Sequence, residues 1–316
     1  MSQTRSATRT NLSHEERTAS EHRDPDLHTV ILDKIKPVND RIRILRLAIK
    51  GQQRGIPFLP GQWLDVHVPG LRKAGGFTIT STPRDAVATD SPFLELAIQD
   101  SPSNPPAAWL WKREEEILGQ ELSVRVGGSF VWPPPGVNLH QIKRVVFIAG
   151  GVGINPLISI LSHIRQTDVS LDHLRCLYMT KIPRHNPKAS DVLFLPRLLD
   201  IFHPSATGLD TEGKQERERL ELFFTGGPEG PFSFQDGRFF LSEHDSLSPG
   251  KELPHCTYFS RIGDDDLRSA AGYSRKERQA SLYYVCGPPN MTDHVVDFMR
   301  KQDGVDADRV LCEKWW

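Results

Sequence analysis

The run Val145-Val146-Phe147-Ile148-Ala149-Gly150-Gly151-Val152-Gly153-Ile154-Asn155-Pro156 constrains this chain more than any other stretch, because an apolar segment breaks into closely spaced glycines and then resumes as an apolar one. It reads as strand, loop and helix. Residues without a Cβ let the backbone turn sharply and bring its N–H groups against a ligand. A helix starting near Asn155-Pro156 would aim its free amides and positive dipole end at a phosphate, and proline is tolerated in a first helical turn. The alternative is a tight strand-to-helix turn that holds nothing.

A second stretch repeats the grammar. Leu282-Tyr283-Tyr284-Val285-Cys286-Gly287-Pro288-Pro289-Asn290-Met291 runs from an aromatic and apolar strand into a glycine and two prolines, before a helix carrying Val295, Val296, Phe298 and Met299. Both loops leave the carboxyl ends of buried strands, the edge where open α/β sheets bind ligands. Two such loops in this order resemble the ferredoxin reductase superfamily, in which GGxGxxP holds the pyrophosphate of a nicotinamide dinucleotide and CGPPxM closes over the nicotinamide. The resemblance implies that Gly150, Gly151, Val152, Gly153, Ile154, Asn155 and Pro156 bind NAD or NADP together with Gly287, Pro288, Pro289 and Met291.

A length of 316 residues suits two domains, each able to bury a core. The formal net charge of −1 supplies no basic field, so nucleic acid is excluded as the expected partner. Cys176, Cys256, Cys286 and Cys312 are scattered without a metal-ligand spacing, and three of the four fall in apparent strands, so buried reduced thiols are expected and no metal site. No apolar run approaches the length that spans a bilayer, and a soluble chain without a transmembrane segment is expected. The polar stretch Met1 to Asp24, with Arg5 and Arg9 ahead of Glu15 and Glu16, reads as a disordered tail or as an organelle-targeting presequence.

From Leu27 to Val126 short apolar segments alternate with turns. Val30 to Ile35, Ile42 to Leu47, Trp63 to Val68, Phe77 to Thr80, Phe93 to Ile98 and Leu122 to Val126 have the spacing of half-buried strands. They predict a small antiparallel barrel of about six strands, with one helix between Asn104 and Glu116. The fold expected is therefore two-domain: residues 25–140 form the barrel, of the flavin-binding kind found in the flavin-dependent reductases of the superfamily, and residues 141–316 an α/β domain with a parallel sheet. In that family an Arg-x-Tyr-Ser segment follows the PGQ turn. Its arginine binds flavin phosphate, its aromatic packs on the flavin and its hydroxyl lies near N5. The matching residues are Gly75-Gly76-Phe77-Thr78-Ile79, which keep the aromatic and the hydroxyl but put Gly75 in place of the arginine. Losing such a contact typically costs about 1.5–3 kcal/mol. Lys73 and Arg72 are candidate substitutes, or ordinary solvated charges. The turn Ser103-Asn104-Pro105-Pro106 replaces the family's Gly-x-x-Ser.

Together with the ending Glu313-Lys314-Trp315-Trp316, these departures resemble one subgroup, the eukaryotic oxidoreductase NAD-binding-domain-containing proteins, which are usually assigned to mitochondria; the cytoplasm is the alternative. The resemblance implies an NAD(P)H oxidoreductase that passes hydride from nicotinamide to flavin and on to a protein or small-molecule acceptor. Thr78 would stand near N5, Cys286 beside the nicotinamide without acting as a nucleophile, and Glu313 as an orienting or proton-handling carboxylate. Gly76, Phe77, Thr78 and Ile79 would hold FAD or FMN, and Trp315 or Trp316 would cover its ring or simply glue the tail down. NAD is preferred over NADP on Asp191-Val192-Leu193-Phe194, where Asp191 is expected to open a helix, although Lys181, Arg184 and His185 suit a 2′-phosphate. The competing function is a flavin-free dinucleotide-binding sensor or assembly protein.

Overall fold

Alternation of apolar and charged residues builds the first hairpin, β1 (His28–Asn39) and β2 (Ile42–Ile49), in a computed structural model that describes residues 13–51, 55–167, 169, 171–183, 188–202, 217–226 and 256–314. Register shifts between Leu32 and Lys34 and between Pro37 and Asn39 bend β1, as extra residues in an antiparallel ladder do. The strands β3 (Trp63–His67), β4 (Gly75–Thr78), β5 (Phe93–Gln99) and β6 (Glu121–Gly127) complete a sheet ordered β4-β3-β6-β1-β2-β5. A bridge between Ile79 and Leu96 links the ends of that order, so the sheet curls into the antiparallel barrel that the strand spacing predicts. Its interior is filled by fully buried Val30, Leu32, Leu45, Leu47, Leu64, Ile79 and Leu96.

The second sheet is parallel. Its strands β7 (Arg144–Gly150), β8 (His173–Ile182), β9 (Glu218–Gly226), β10 (Thr257–Tyr258), β11 (Ser281–Cys286) and β12 (Val310–Glu313) lie in the order β10-β9-β8-β7-β11-β12. Every residue of β7 and β11 is buried, because helices cover both faces. Helix Ile154–Gln166 packs its apolar side into one core, and helices Asp264–Ala271 and Pro289–Arg300 pack into the other. The strand order reverses between β7 and β11, which places both predicted loops at one switch point of the sheet.

The core between this sheet and helix Ile154–Gln166 continues toward the barrel through Ala97, Phe130 and Trp132. Polar clamps cross the same boundary. Asn155 Nδ2 donates to the Ala97 carbonyl at 2.9 Å, Ser159 Oγ to the Ser81 carbonyl at 2.7 Å and Tyr284 Oη to the Val131 carbonyl at 2.8 Å. Arg197 donates to the Thr80 carbonyl at 3.0 Å and pairs with Glu95 at 2.8 Å.

Three expectations are corrected. The single helix over 104–116 is two short ones, Pro105–Leu110 and Glu114–Ile117. Arg43, reaching from β2, stacks over the Trp111 ring at 4.1 Å and takes the Trp111 and Lys112 carbonyls at 2.7 and 3.1 Å, which ends the first helix there. Asp191 closes a one-turn segment, Ala189–Asp191, by accepting from the Lys188 amide at 2.9 Å, and the helix proper starts at Leu195. Finally, Ser13 to Asp24 do not trail away. They form helix His14–Arg17 and a bridge from Arg23 to Gly127, docked on the barrel.

Candidate functional site

The glycine loop after β7 makes a one-turn 3₁₀ segment, Gly151–Gly153, before helix Ile154–Gln166 begins. Only Gly151 needs a left-handed backbone, with φ of +55° and open space where a Cβ would stand. Gly150 and Gly153 are glycines for a different reason. A Cβ on Gly150 would lie 2.5 Å from the Met291 sulfur and 2.7 Å from Pro288 Cδ, and one on Gly153 would collide with the Cys286 carbonyl. Gly287 in turn faces the Gly150 amide, 3.0 Å from where its Cβ would be. The two loops interlock, so each glycine pattern is in part a condition for the other. Pro289 opens the helix Pro289–Arg300, and Thr292 Oγ1 donates to the Gly287 carbonyl at 3.1 Å.

Beside these loops lies a cleft of about 440 Å³ between the two sheets. Its barrel wall includes Trp63, Gly76, Phe77 and Thr78, and its other wall includes Val152, Asn155, Leu311 and Glu313. Volumes of this order suit a cofactor-sized ligand. Thr78 and Glu313, expected to serve catalysis from different domains, thus border one cavity. Ile79 does not, being fully buried in the barrel core. Cys286 stands behind the cleft, paired in register with Glu313 and 1% exposed. Burial, with Glu313 and Cys312 adding to it, pushes its thiol well above the ordinary cysteine range, so it is protonated at neutral pH. Trp315, Trp316, Arg184 and His185 lie outside the described residues.

Asn155 is 4% exposed and spends its Nδ2 on the barrel, while its Oδ1 has no hydrogen-bond partner among the described residues. A buried acceptor in that state calls for a donor from a bound molecule. Isoalloxazine and carboxamide groups both carry such an N–H. The aromatic wall at Trp63, Phe77 and Phe130 supplies the apolar surface that a flat ring requires. The residues present therefore fit a flavin and a nicotinamide, with one departure: the space beyond Gly75 is filled by the Phe77 ring and Pro106, 2.6 and 2.7 Å from a Cβ there, so no arginine fits at that position. Lys73 pairs instead with Glu16 at 3.6 Å on an exposed surface.

The sequence reading misses a third side of the cleft, made by His14, Arg17, Thr18 and Glu21. Ser13-x-x-Glu16 is the signature that marks it. Ser13 Oγ accepts from the Glu16 amide at 3.4 Å and Glu16 Oε2 accepts from the Ser13 amide at 2.6 Å, a reciprocal cap. The segment is anchored on Asp65, a fully buried carboxylate of β3. His14 Nε2 lies 3.1 Å from it, Arg23 Nε 2.9 Å and Arg125 Nη2 2.8 Å. Burial alone would raise the Asp65 pKa, but bonds from His14, Arg125 and Arg23 outweigh it and hold the carboxyl well below the usual carboxylate range. The His14 ring covers Gly76, leaving no room for a side chain there, and meets Trp63 edge-on at 4.6 Å.

Comparison with known proteins gives a consistent picture. No family model matches the chain. It is 30% identical over 310 residues to an oxidoreductase NAD-binding domain-containing protein 1 of Danio rerio, covering 96% of this chain and 97% of that protein. Among solved structures, the cytochrome b5 reductase domain of Ulva prolifera nitrate reductase aligns with a TM-score of 0.58 at 17% identity, over 91% of this chain and 97% of that one. The ferredoxin reductase in carbazole 1,9a-dioxygenase aligns with a TM-score of 0.59 at 16% identity, over 92% and 70%. These structures share the fold, an antiparallel barrel followed by a parallel sheet.

Proposed function

The chain belongs to the oxidoreductase NAD-binding domain-containing protein 1 family, and we propose that it is a flavin-dependent NAD(P)H oxidoreductase whose chemistry takes place in the cleft between its two sheets. The observation that carries the reading is that Thr78 of the barrel, Asn155 of the helix after β7 and Glu313 of β12 border the same cavity. The solved structures of the same fold are named as reductases, which supports the reaction class. When bound, a flavin supplies acceptance of hydride from the nicotinamide and its delivery to a further acceptor.

The protein's part is alignment and exclusion of water. The interlocked loops at Gly150–Pro156 and Gly287–Met291, at the switch point of the sheet, would hold the dinucleotide. Asn155 Oδ1 accepts an N–H from a bound ring or carboxamide. Phe77 would pack against a bound flavin, and Thr78 would offer its hydroxyl to it. Cys286, protonated and buried, shapes the floor under the nicotinamide without attacking it. Glu313, at the end of β12, orients the nicotinamide or carries a proton. The dinucleotide is taken to be NADH, and the acceptor is a protein or a small molecule. Mitochondria are the proposed site of action, on Arg5 and Arg9 in a stretch free of acids before Glu15, and cell fractionation tests that part.

The purified protein is expected to show flavin absorbance between about 300 and 550 nm that is bleached by NADH under anaerobic conditions. A protein with no such absorbance, gaining none with FAD or FMN, and unable to oxidise NADH with artificial acceptors would overturn the proposal. That result would support the flavin-free sensor. The filled space at Gly75 and the His14 ring over Gly76 are the observations in its favour.

A further inference from the structure

The basic side chains that border the cleft differ in what they face. Lys314 pairs with Asp293, and His14 lies against Asp65. Glu21, the acid of the same segment that lines the cleft, accepts from the Ser129 hydroxyl at 2.6 Å. Arg17 borders the cleft with no carboxylate partner among the described residues. Its neighbour Glu16 is turned away, toward Ser13 and Lys73.

The backbone that carries Arg17 is fixed on both sides. The reciprocal cap of Ser13 and Glu16 closes the helix start. Arg23 donates to the Thr18 carbonyl at 2.6 Å and to its hydroxyl at 2.5 Å while paired with Asp65. The backbone at Arg17 is thus held at the cavity mouth by a buried anchor, and partial removal of the exposed side chain from water lowers the guanidinium pKa while leaving it charged. A guanidinium with no carboxylate partner among the described residues, carried on a backbone held at both sides and opening on a cavity whose acids are Glu21, bonded to Ser129, and Glu313, has the chemistry of a phosphate receiver.

We infer that Arg17 binds the phosphate of the flavin, so that the segment from Ser13 to Arg23 is a built part of the cofactor site. The inference rests on the flavin reading above. It assigns to Arg17 the role for which the sequence offered Arg72 and Lys73, neither of which borders the cleft.

The test is a fluorescence titration of apoprotein with FAD, FMN and riboflavin, comparing the wild type with Arg17→Ala, Arg17→Lys and the exposed control Arg72→Ala. Arg17→Ala is expected to weaken FAD and FMN binding about tenfold to a hundredfold, the usual effect of losing a charge-assisted phosphate contact, and to leave riboflavin binding unchanged because riboflavin has no phosphate. Arg17→Lys is expected to recover part of the loss, and Arg72→Ala to behave as the wild type. Dissociation constants for FAD and FMN within about twofold of the wild type in Arg17→Ala would overturn the assignment. So would an equal loss for riboflavin, which would mean that the site had collapsed. A wild type that binds no flavin overturns the functional reading and this inference with it, whereas a wild type and an Arg17→Ala that bind flavin alike overturn the inference alone.

Discussion

Gly151 and Gly153 belong to one loop and answer differently to a methyl group. At Gly153 the obstacle is the Cys286 carbonyl, a backbone atom of the neighbouring strand end that cannot swing aside. Overpacking of this kind costs about 1–3 kcal/mol. At Gly151 there is open space, and the cost is that of a left-handed φ of +55°, about 1 kcal/mol for alanine and less for asparagine. Thermal melts are expected to show Gly153→Ala falling furthest and Gly151→Asn staying near the wild type; the reverse order would mean that the loops do not interlock as described. The spacing of these glycines is legible in the sequence, but their cause is only half so, because a phosphate loop and a loop packed on another loop ask for the same residue. Asp65 is the opposite case. An aspartate in a strand pattern gives no sign of its three partners, His14, Arg23 and Arg125, two of which come from a segment that composition assigns to a tail. A carboxyl held below its ordinary range stabilises the fold above its unfolded value of about 3.9, and that stabilisation is lost as pH falls through the folded value. Asp65→Asn should therefore be destabilised by about 1.5–3 kcal/mol at pH 7. Its gap to the wild type in urea midpoints should close below about pH 4, and a gap that held constant into acid would refute the ion cluster.

Helix Ile154–Gln166 shows how much an element's pattern conveys. Its apolar spacing locates it, and the buried Leu157, Ile158, Ile160, Leu161 and Ile164 pack as that spacing implies. Ser159 interrupts the apolar run at full burial, and the structure explains it: the hydroxyl reaches the Ser81 carbonyl at 2.7 Å and ties the helix to the barrel. Ser159→Ala would leave that carbonyl without its donor. A loss of about 1–3 kcal/mol is expected in urea unfolding, and an unchanged midpoint would show that the clamp contributes nothing. The broken helix after Asn104 marks the limit of such reading. Its residues alone suit one continuous helix, and the break is made by Arg43, which arrives from another strand with donors for the helix-end carbonyls.

At the scale of the whole molecule the two sheets are expected to unfold together, since the core beneath helix Ile154–Gln166 runs on through Phe130 and Trp132 toward the barrel. Tyr284 stands at the middle of that continuity. Its ring stacks on Phe147 at 5.4 Å between centroids, meets Phe130 edge-on at 5.2 Å, and is fully buried while its hydroxyl donates to the Val131 carbonyl. Calorimetry of the wild type should give a single transition whose calorimetric and van't Hoff enthalpies agree. Tyr284→Ala removes the ring from the β11 side of this joint and leaves the barrel side without its partner, a loss of about 3–5 kcal/mol by analogy with other large aromatic truncations. Because that loss falls both on the connection and on the parallel sheet, where the ring stacks on Phe147, the two halves should then melt separately, the parallel sheet at the lower temperature. Tyr284→Phe keeps the ring and forfeits the hydrogen bond, at about 1–2 kcal/mol, and should keep the single transition. Two transitions already present in the wild type would show that the polar clamps and the shared core are too weak to couple the halves, and a cleft built between them would then be free to open.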